Sequence, residues 1–338
     1  MKRVGGLYPL ICERENLRLA AWKALRSKRG MSDARAFMAR MDEALDILRW
    51  ELLHGAVRLT PPRQFVIHDP KRRTITAPCF RERVLHHAIM NVVEPELERY
   101  AIHHSYACRA GKGQFAALTA ARKFAWGHEW FLKLDVRKYF DSIPKALLLE
   151  RLERRFKDRE LLSLLRQLVS AFQPEAPCGL PIGSLLSQHL ANFYLGWLDH
   201  FITVEMRCGS YLRYMDDFVL WHQDGRVLAE MLPQVNDAAL GTLHLTLKPA
   251  QRNRTMRGMT FLGHRVWPGR LTLSRVSKQR YARKLKAVCV ALGHGEINEG
   301  EAQERALSLV AFTRHSSCLS FRRRVAQGLA AQPKAPTA

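Results

Sequence analysis

The chain has 338 residues, of which 47% are apolar, so it can bury a large core and is long enough for two or three domains. Its net charge of +23 predicts a polyanionic partner, by default a nucleic acid. No run approaches the roughly 18 apolar residues of a membrane span, and no signal-peptide core begins the chain, so we expect a cytoplasmic protein without membrane contact. The seven cysteines have no paired spacing, which is typical of reduced thiols and not of a disulfide framework or a zinc site.

The first part of the chain is predicted to be mostly helical. Two apolar stripes predict helices within residues 15–53, and a short strand pair around a basic turn follows at residues 65–75. Lys71 and Arg73 in this hairpin could hold a triphosphate, Arg through bidentate hydrogen bonds, although a solvated basic hairpin explains the same pattern. Two further helices are predicted, over 81–100 and 114–126.

Two predicted strands carry acidic residues at their ends. An apolar strand that begins at Phe131 ends at Asp135, and 81 residues after Asp135 a turn at Asp216 and Asp217 joins two runs of β-formers. An isolated Asp-Asp pair is most often a solvated turn. If the two strands pair, however, Asp135 and Asp216 converge, and carboxylates brought together favour a cation between them. Because Mg²⁺ prefers carboxylate oxygens, and two such ions about 3.5–4 Å apart suit in-line phosphoryl displacement, the sequence predicts a two-magnesium site.

The region between the two acidic strands is predicted to be helical. Residues 145–172 are rich in Leu, and a tight turn at 179–184 opens a long helix over 184–206. One face of that helix carries several small residues. That face is either part of the core or a surface where a flat ligand could approach the backbone. Its members are Ser187, Ala191, Tyr194 and Leu198.

The last third of the chain is the most basic part. There is no acidic residue between Ala238 and Gly295, but there are twelve Lys and Arg, which predicts phosphate contacts and salt-sensitive binding. The elements predicted here are helices over 226–241, 275–292 and 301–328, a strand over 243–247, and the edge of a strand pair over 261–266. A Pro/Ala tail over 330–338 is predicted to be disordered.

Four sequence blocks, in this order, resemble the motifs of a reverse transcriptase. They are the first catalytic palm motif from Phe131 to Ile143, the template and nucleotide motif from Gly179 to Tyr194, the Tyr-x-Asp-Asp box at 214–217, and the primer-gripping turn Phe261-Leu262-Gly263. The resemblance implies an α+β right-hand polymerase with fingers, an antiparallel palm and a helical thumb. It also implies an enzyme that catalyses RNA-directed DNA synthesis.

The resemblance also implies a division of the chain into domains. The expected parts are an N-terminal helical extension (1–55), fingers (56–125 and 145–180), a palm (126–144 and 181–266), a basic helical thumb (267–329) and the tail (330–338).

One motif departs from the pattern of most relatives. Group II intron and retroviral enzymes carry Gln-Gly and then Ser-Pro, whereas this chain has Ile182-Gly183 and then Ser187-Gln188. This variant, the stretch 105–109 and the compact length are similar to the reverse transcriptases of diversity-generating retroelements. Two alternatives are another bacterial reverse transcriptase, of group II intron or defence type, and a non-catalytic nucleic-acid-binding module with the same fold. The second alternative predicts altered carboxylates, but all three carboxylates are present.

The resemblance implies a role for each residue of the catalytic motifs. Asp135 and Asp216 would bind the two Mg²⁺ ions, with help from the carbonyl of Val136. Asp217 would lie close by as a further catalytic carboxylate. Lys248 is the candidate proton donor to the leaving pyrophosphate, although its spacing departs from the usual pattern.

Other matching residues would surround the nucleotide and the primer. They are Lys71 and Arg73 at the triphosphate, Phe140 under the deoxyribose, Ile182 and Gly183 beside the nucleotide, Gln188 near the template base, and Phe261, Leu262 and Gly263 at the primer. Phe140 would exclude a 2′-hydroxyl and so select deoxynucleotides.

The implied partners are a template RNA, dNTPs and the growing primer–template duplex. By the same resemblance, the cDNA carries misincorporations opposite template adenines and replaces a variable region of a target gene. A small basic accessory protein that forms a pentamer is expected, and the element is expected in bacteria or phages.

Overall fold

The computed structural model describes residues 3–26, 28–68 and 72–330. The α-helices in this part of the chain are Tyr8–Ile11 (α1), Arg14–Leu25 (α2), Ser32–Ala39 (α3), Met41–Leu53 (α4), Phe80–Tyr100 (α5), Gln114–Gly127 (α6), Tyr139–Ser142 (α7), Lys145–Arg155 (α8), Arg159–Ser170 (α9), Leu185–His200 (α10), Gly225–Leu243 (α11), Arg275–Gly293 (α12), Glu299–Thr313 (α13) and Leu319–Ala330 (α14). The strands are Arg63–Ile67 (β1), Arg73–Ala77 (β2), Trp130–Asp135 (β3), Tyr211–Tyr214 (β4), Asp217–His222 (β5), Gln251–Arg254 (β6), Met259–Phe261 (β7), His264–Trp267 (β8) and Arg270–Leu273 (β9).

The strands form three sheets. β1 and β2 make an antiparallel hairpin, a four-stranded sheet has the order β4-β5-β3-β6, and β7, β8 and β9 make an antiparallel meander. With these sheets and the many helices, the predicted α+β fold class is confirmed.

The predicted helix over 301–328 is wrong in one respect, because two helices occupy it. α13 starts with a capping box, in which Asn298 accepts from the backbone of Glu301 and the Glu301 side chain accepts from the backbone of Asn298. The chain leaves helical geometry after Thr313, where Ser316 N donates to the Thr313 carbonyl, and α14 begins at Leu319. The apolar pattern spans the break, so periodicity alone could not show it.

The predicted strand over 243–247 is also wrong. α11 continues to Leu243, and His244 follows in the left-handed region with φ 53°. The amide of His244 donates to the Leu240 carbonyl at 3.1 Å, as in an αL cap, and the amide of Leu245 donates to the Ala239 carbonyl at 2.9 Å. Only Leu247 makes a β-bridge, to Val136. The alternating leucines therefore belong to a helix end and a single bridge.

The described chain divides into two compact units. The first contains residues 1–111, 134–218 and 231–250, and the second contains 112–133, 219–230 and 251–338. The domain boundaries predicted from the sequence do not coincide with these units and stay predictions. The predicted disordered tail falls mostly on residues 331–338, which lie outside the described residues.

In the first unit α10 is a core helix that packs against α5 and α8. The face with small residues is buried throughout, which decides between the two interpretations given above in favour of a core face. Tyr139 donates its hydroxyl proton to the Ala191 carbonyl, and Tyr194 donates to the Leu243 carbonyl at 2.8 Å. These bonds fix α7 and the end of α11 against α10.

In the second unit the meander of β7, β8 and β9 packs against α6. Its strands alternate, with Met259, Phe261, Val266 and Leu271 buried on the inner face. Polar and aromatic residues occupy the outer face. No helix in the described parts of the chain is both long enough and apolar enough to cross a membrane.

Candidate active site

Two acidic residues meet at the ends of neighbouring strands in the first unit. β3 ends at Asp135, and the next strand in the sheet, β5, starts directly after Asp216. The amide of Val136 donates to the Asp216 carbonyl at 3.3 Å, so the two chain segments are joined beside both carboxylates. The predicted pairing of the two acidic strands is therefore observed.

The turn that carries Asp216 has an unusual backbone. Met215, the first residue of the two-residue turn between β4 and β5, has φ 57°. This region disfavours residues with a Cβ, and such a position costs about 1–3 kcal/mol unless its surroundings hold it. Tyr-Met-Asp-Asp thus folds into a tight hairpin that presents Asp216 at its tip.

The Asp216 carboxyl lies in an unfavourable electrostatic position. Burial, and then the charge of Asp135, raise the pKa of Asp216 above its ordinary value. Lys248 and Arg73 lower it, but the shift upward prevails. Two carboxylates that repel each other when ionised attract cations, and this repulsion is the electrostatic signature of the site.

Lys248 forms an ion pair with one member of this pair of carboxylates. Its Nζ lies 2.6 Å from Asp135 Oδ1, and its backbone amide donates to the Asp135 carbonyl at 2.8 Å. Both side chains are partly exposed. The residue that the sequence suggested as a proton donor therefore forms an ion pair with the first catalytic carboxylate.

The donor set fits a hard divalent cation. The converging groups are carboxylate oxygens, and the pKa of one of them, Asp216, is raised by burial and by the charge of the other. In the described residues no cluster of three or more His, Cys, Asp or Glu side chains forms a metal site by itself. Asp135 and Asp216 as ligands of Mg²⁺ stay predictions, as do the roles of Asp217 and the Val136 carbonyl.

A buried network that the sequence did not reveal supports the hairpin. Arg213 on β4 forms an ion pair with Asp199 of α10, and both side chains are at most 1% exposed. Arg213 also donates to Asn192 Oδ1 at 2.7 Å and to the Met215 carbonyl at 2.9 Å. Tyr211 donates its hydroxyl proton to Asp199 at 2.7 Å. The network therefore supports the strained Met215 turn through the bond from Arg213 to the Met215 carbonyl. The sequence feature that could have predicted this network is an Arg and an Asp inside apolar segments, since buried charges need partners.

On the nucleotide side, the β1–β2 hairpin contacts the second predicted motif. The amide of Thr76 donates to the Ile182 carbonyl at 2.7 Å. Gly183 has φ 111°, and a Cβ there would lie 2.8 Å from Ile75 Cγ2, so only glycine allows this close approach. Arg73 is exposed at the start of β2 and close enough to influence the Asp216 pKa. Lys71, the other predicted triphosphate ligand, lies outside the described residues.

Two more predicted residues lie in the first unit. Phe140 is half-buried in α7, and its carbonyl accepts a hydrogen bond from the Leu180 amide at 2.8 Å. Gln188 is half-buried in the first turn of α10 and accepts from the Cys108 thiol at 3.6 Å. Their contacts to nucleotide and template stay predictions.

The predicted primer-gripping turn joins β7 and β8 in the second unit. Leu262 and Gly263 have φ 47° and 80°, as a type I′ hairpin turn requires. Gln114 donates to the Leu262 carbonyl at 2.8 Å, and a Cβ at Gly263 would lie 3.0 Å from Ser277 Oγ. The turn is therefore held firmly by α6 and α12, while its contact with a primer stays a prediction.

Comparison with known proteins places this site in a family. Residues 68–266 match the family described as reverse transcriptase (RNA-dependent DNA polymerase). Protein YkfC of Escherichia coli is 26% identical over 282 residues, which cover 68% of this chain and 72% of YkfC. The group II intron-encoded protein LtrA of Lactococcus lactis is 25% identical over 170 residues, which cover 48% of this chain and 28% of LtrA. The chain spans about a quarter of the length of a putative intron protein of Saccharomyces cerevisiae that it also matches.

Among solved structures, a telomerase from Candida albicans in complex with a fragment of telomeric RNA aligns with a TM-score of 0.48 and 12% identity. The alignment covers 81% of this chain and 54% of the telomerase.

Paired strand-end carboxylates in a mixed α+β fold suit metal-assisted phosphoryl transfer. The family match covers more than half of the chain, and the chain belongs to the reverse transcriptase family. The predicted right-hand polymerase fold and the predicted enzyme class, RNA-directed DNA polymerase, are thereby confirmed.

Proposed function

We propose that this chain copies a template RNA of a retroelement into cDNA at the Asp135–Asp216 pair, with dNTPs as substrates. The observation that carries the proposal is the convergence of these two carboxylates across a backbone hydrogen bond, with a raised pKa at Asp216. Free carboxylates without a metal would repel both the triphosphate and each other, so the arrangement is useful only with bound cations.

Asp135 and Asp216 would hold two Mg²⁺ ions, which activate the primer 3′-oxygen and neutralise charge on the leaving pyrophosphate. The 3′-oxygen attacks the α-phosphate, and the bond to pyrophosphate breaks. Arg73, exposed on the adjacent hairpin, would contact the triphosphate. The Ile182 carbonyl accepts from the backbone of Thr76, and this bond fixes the second motif beside that hairpin.

A sugar-selection test probes the nucleotide pocket. Phe140→Ala should admit ribonucleotides, because the ring is proposed to occupy the space of a 2′-hydroxyl. The dATP-to-ATP incorporation ratio should fall by about a hundredfold, equivalent to about 2.7 kcal/mol at the transition state. Primer extension with each nucleotide by wild type and variant measures the ratio. An unchanged ratio removes Phe140 from the pocket.

We further propose that copying is error-prone opposite template adenines, as in diversity-generating retroelements. The supporting observation is Ile182, at the position where, by the resemblance, group II intron and retroviral enzymes carry Gln. Ile offers only apolar contact, whereas Gln can hydrogen-bond and favour a correctly paired nucleotide; one such bond is worth roughly 0.5–1.5 kcal/mol. A pentameric basic accessory protein is part of this proposal, and so is a bacterial or phage-encoded cytoplasmic origin. The seven cysteines, which are all described and form no disulfide, are consistent with a reducing compartment.

The test is the Ile182→Gln variant on one RNA template, with sequencing of the cDNA. We expect fewer misincorporations opposite adenine, by up to about tenfold, and continued synthesis. Errors at the other template bases serve as the internal control. An active variant with an unchanged adenine error rate would contradict the error proposal and leave the polymerase proposal intact.

A group II intron type of element is the second candidate, because LtrA is among the relatives. The neighbouring DNA distinguishes the two. A nearby pair of similar repeats that differ at adenines supports the diversity-generating type, whereas flanking intron sequence supports the other.

A further inference from the structure

The outer face of the β7–β9 meander, in the second unit, differs from its inner face. The strand register pairs Arg265 with Thr272 and Trp267 with Arg270, and all four side chains are on the outer side of the alternation. Thr260 is opposite Arg265 on the third strand. This sheet face therefore carries arginine, threonine and tryptophan, and no acidic residue.

The arginines of this face lie against a tryptophan ring. The guanidinium carbons of Arg265 and Arg270 are 5.2 and 5.8 Å from the centre of the Trp267 ring. Within the described residues, neither guanidinium group makes an ion pair with a carboxylate. Their charge is therefore available to an external anion.

The same surface continues onto α6. Trp126, which is 74% exposed, lies beside the turn between β8 and β9, since a Cβ at Gly269 would be 2.8 Å from its ring. On the other side Arg265 donates to the Arg257 carbonyl, next to Met256, which is 72% exposed. The members of what is called the Trp–Arg surface below are Trp126, Met256, Arg265, Trp267 and Arg270.

We propose that the Trp–Arg surface binds single-stranded RNA. Unstacked bases bind to proteins by stacking on aromatic rings and guanidinium planes, while arginines neutralise the phosphates. Trp126 and Met256 provide exposed apolar area for bases, and two arginines without acidic partners provide the charge. A protein partner with an acidic face is the competing occupant, but Arg265 and Trp267 at successive outward positions of β8, with Arg270 opposite Trp267, suit a base stacked beside a phosphate better.

This surface is separate from the predicted primer-gripping turn. β8 begins directly after Leu262 and Gly263 and ends directly before Pro268 and Gly269, so the two turns lie at opposite ends of one strand. The choice of RNA as the ligand rests on the proposed function, because the long single strand that such an enzyme handles is its template. The surface would hold template RNA that is not yet paired in the active site.

The experiment uses the full chain and a fluorescein-labelled, unstructured 12-nucleotide RNA, without Mg²⁺ or dNTPs. Fluorescence anisotropy gives Kd for wild type, Trp126→Ala and Arg270→Ser. Loss of one stacking platform should weaken binding roughly tenfold. Arg270→Ser should also reduce the dependence of log Kd on log salt by about 0.7, the value for one single-strand phosphate contact.

Trp22→Ala is the matched control, because Trp22 is 52% exposed on α2 of the first unit and has no arginine over its ring among the described contacts. We expect its Kd to equal that of wild type. Trp126→Phe should retain most of the affinity, which guards against loss through misfolding of the alanine variant. A 4-thiouridine RNA should cross-link to the peptide that contains Trp126.

Wild-type affinity in both Trp126→Ala and Arg270→Ser, or cross-links only elsewhere, overturns the inference. Tighter binding of a single-stranded DNA of the same sequence overturns the choice of RNA. Because the assay needs no catalysis, these outcomes are independent of primer extension, which tests the proposed polymerase function separately.

Discussion

Two acidic residues of the first unit, the buried Asp199 and the half-buried Asp216, are placed in opposite electrostatic surroundings. Asp199 is completely buried and accepts hydrogen bonds from the Arg213 guanidinium and the Tyr211 hydroxyl. Burial acts to lower the pKa of Arg213, but Asp199 raises it, so the guanidinium stays charged. Asp216 lies three residues from Arg213 in sequence, yet it faces Asp135, and its pKa is raised.

Within one strand and its turn, the Arg213–Asp199 pair therefore has a structural role, whereas the Asp216 site is suited to a functional one. A buried charge with full partners stabilises a fold only weakly, but it fixes one geometry, and removing one partner is costly. A partly buried charge beside a like charge lowers stability. Such arrangements are found mainly at functional sites, where a bound ligand of opposite charge compensates the repulsion. Arg213 joins the two centres by donating to the Met215 carbonyl in the Asp216 turn.

The largest expected effect comes from Asp216, whose charge faces that of Asp135. Asp216→Asn should reduce primer extension by about a thousandfold or more, because the loss of a metal-binding anion removes several kcal/mol of transition-state stabilisation. Steady-state primer extension with Mg²⁺ measures it, and binding of the RNA template by the same variant is the control. Near wild-type extension would show that the two carboxylates do not form the catalytic centre.

The same variant should be more stable than wild type in EDTA at neutral pH. The folded-state pKa of Asp216 is raised, so above that pKa the ionised carboxylate costs stability, and below the unfolded pKa the cost is absent. The gain in unfolding free energy of Asp216→Asn over wild type should therefore shrink as the pH falls below the folded pKa and be absent below the unfolded pKa. Urea unfolding at several pH values measures it. If Asp216→Asn were less stable than wild type at neutral pH, the ionised Asp216 would not cost stability, which contradicts its contrast with Asp199.

Removal of one partner of the buried Arg213–Asp199 ion pair should mainly lower the stability of the fold. Arg213→Met leaves the Asp199 carboxylate buried without its cation and should cost about 3–5 kcal/mol of unfolding free energy. The double variant Arg213→Met with Asp199→Leu is the control, and it should recover part of the loss because no charge stays buried. Equal loss in single and double variants would show that the pair has no special role.

The smallest expected effect concerns Lys248, the only cation within ion-pair distance of Asp135 in the described residues. Lys248→Met should bind Mn²⁺ about tenfold more tightly, since an ammonium that competes for the carboxylate is removed; tenfold corresponds to about 1.4 kcal/mol. Electron paramagnetic resonance of free Mn²⁺ measures binding without catalysis, and Lys248→Arg, which keeps the charge, is the control. Weaker binding by Lys248→Met would mean that the lysine orients Asp135 for the metal.

The sequence by itself pointed to the two carboxylates, because strand-forming runs that end in Asp are local patterns. The class of protein followed from the resemblance of four ordered motifs to those of reverse transcriptases. The sequence also determined most helices, since their apolar periodicity is local too. It could not show that α13 and α14 are separate, because the apolar pattern crosses the break.

Only the tertiary structure decided how the charges are compensated. Arg213 and Asp199 are 14 residues apart, and Lys248 and Asp135 are 113 residues apart, so neither pair is visible as a pattern. The strained Met215 turn likewise depends on the network behind it. The partner of a buried charge is set by long-range contacts. A charged group needs an ionic partner only where the fold excludes water from it, and the fold decides which groups are buried.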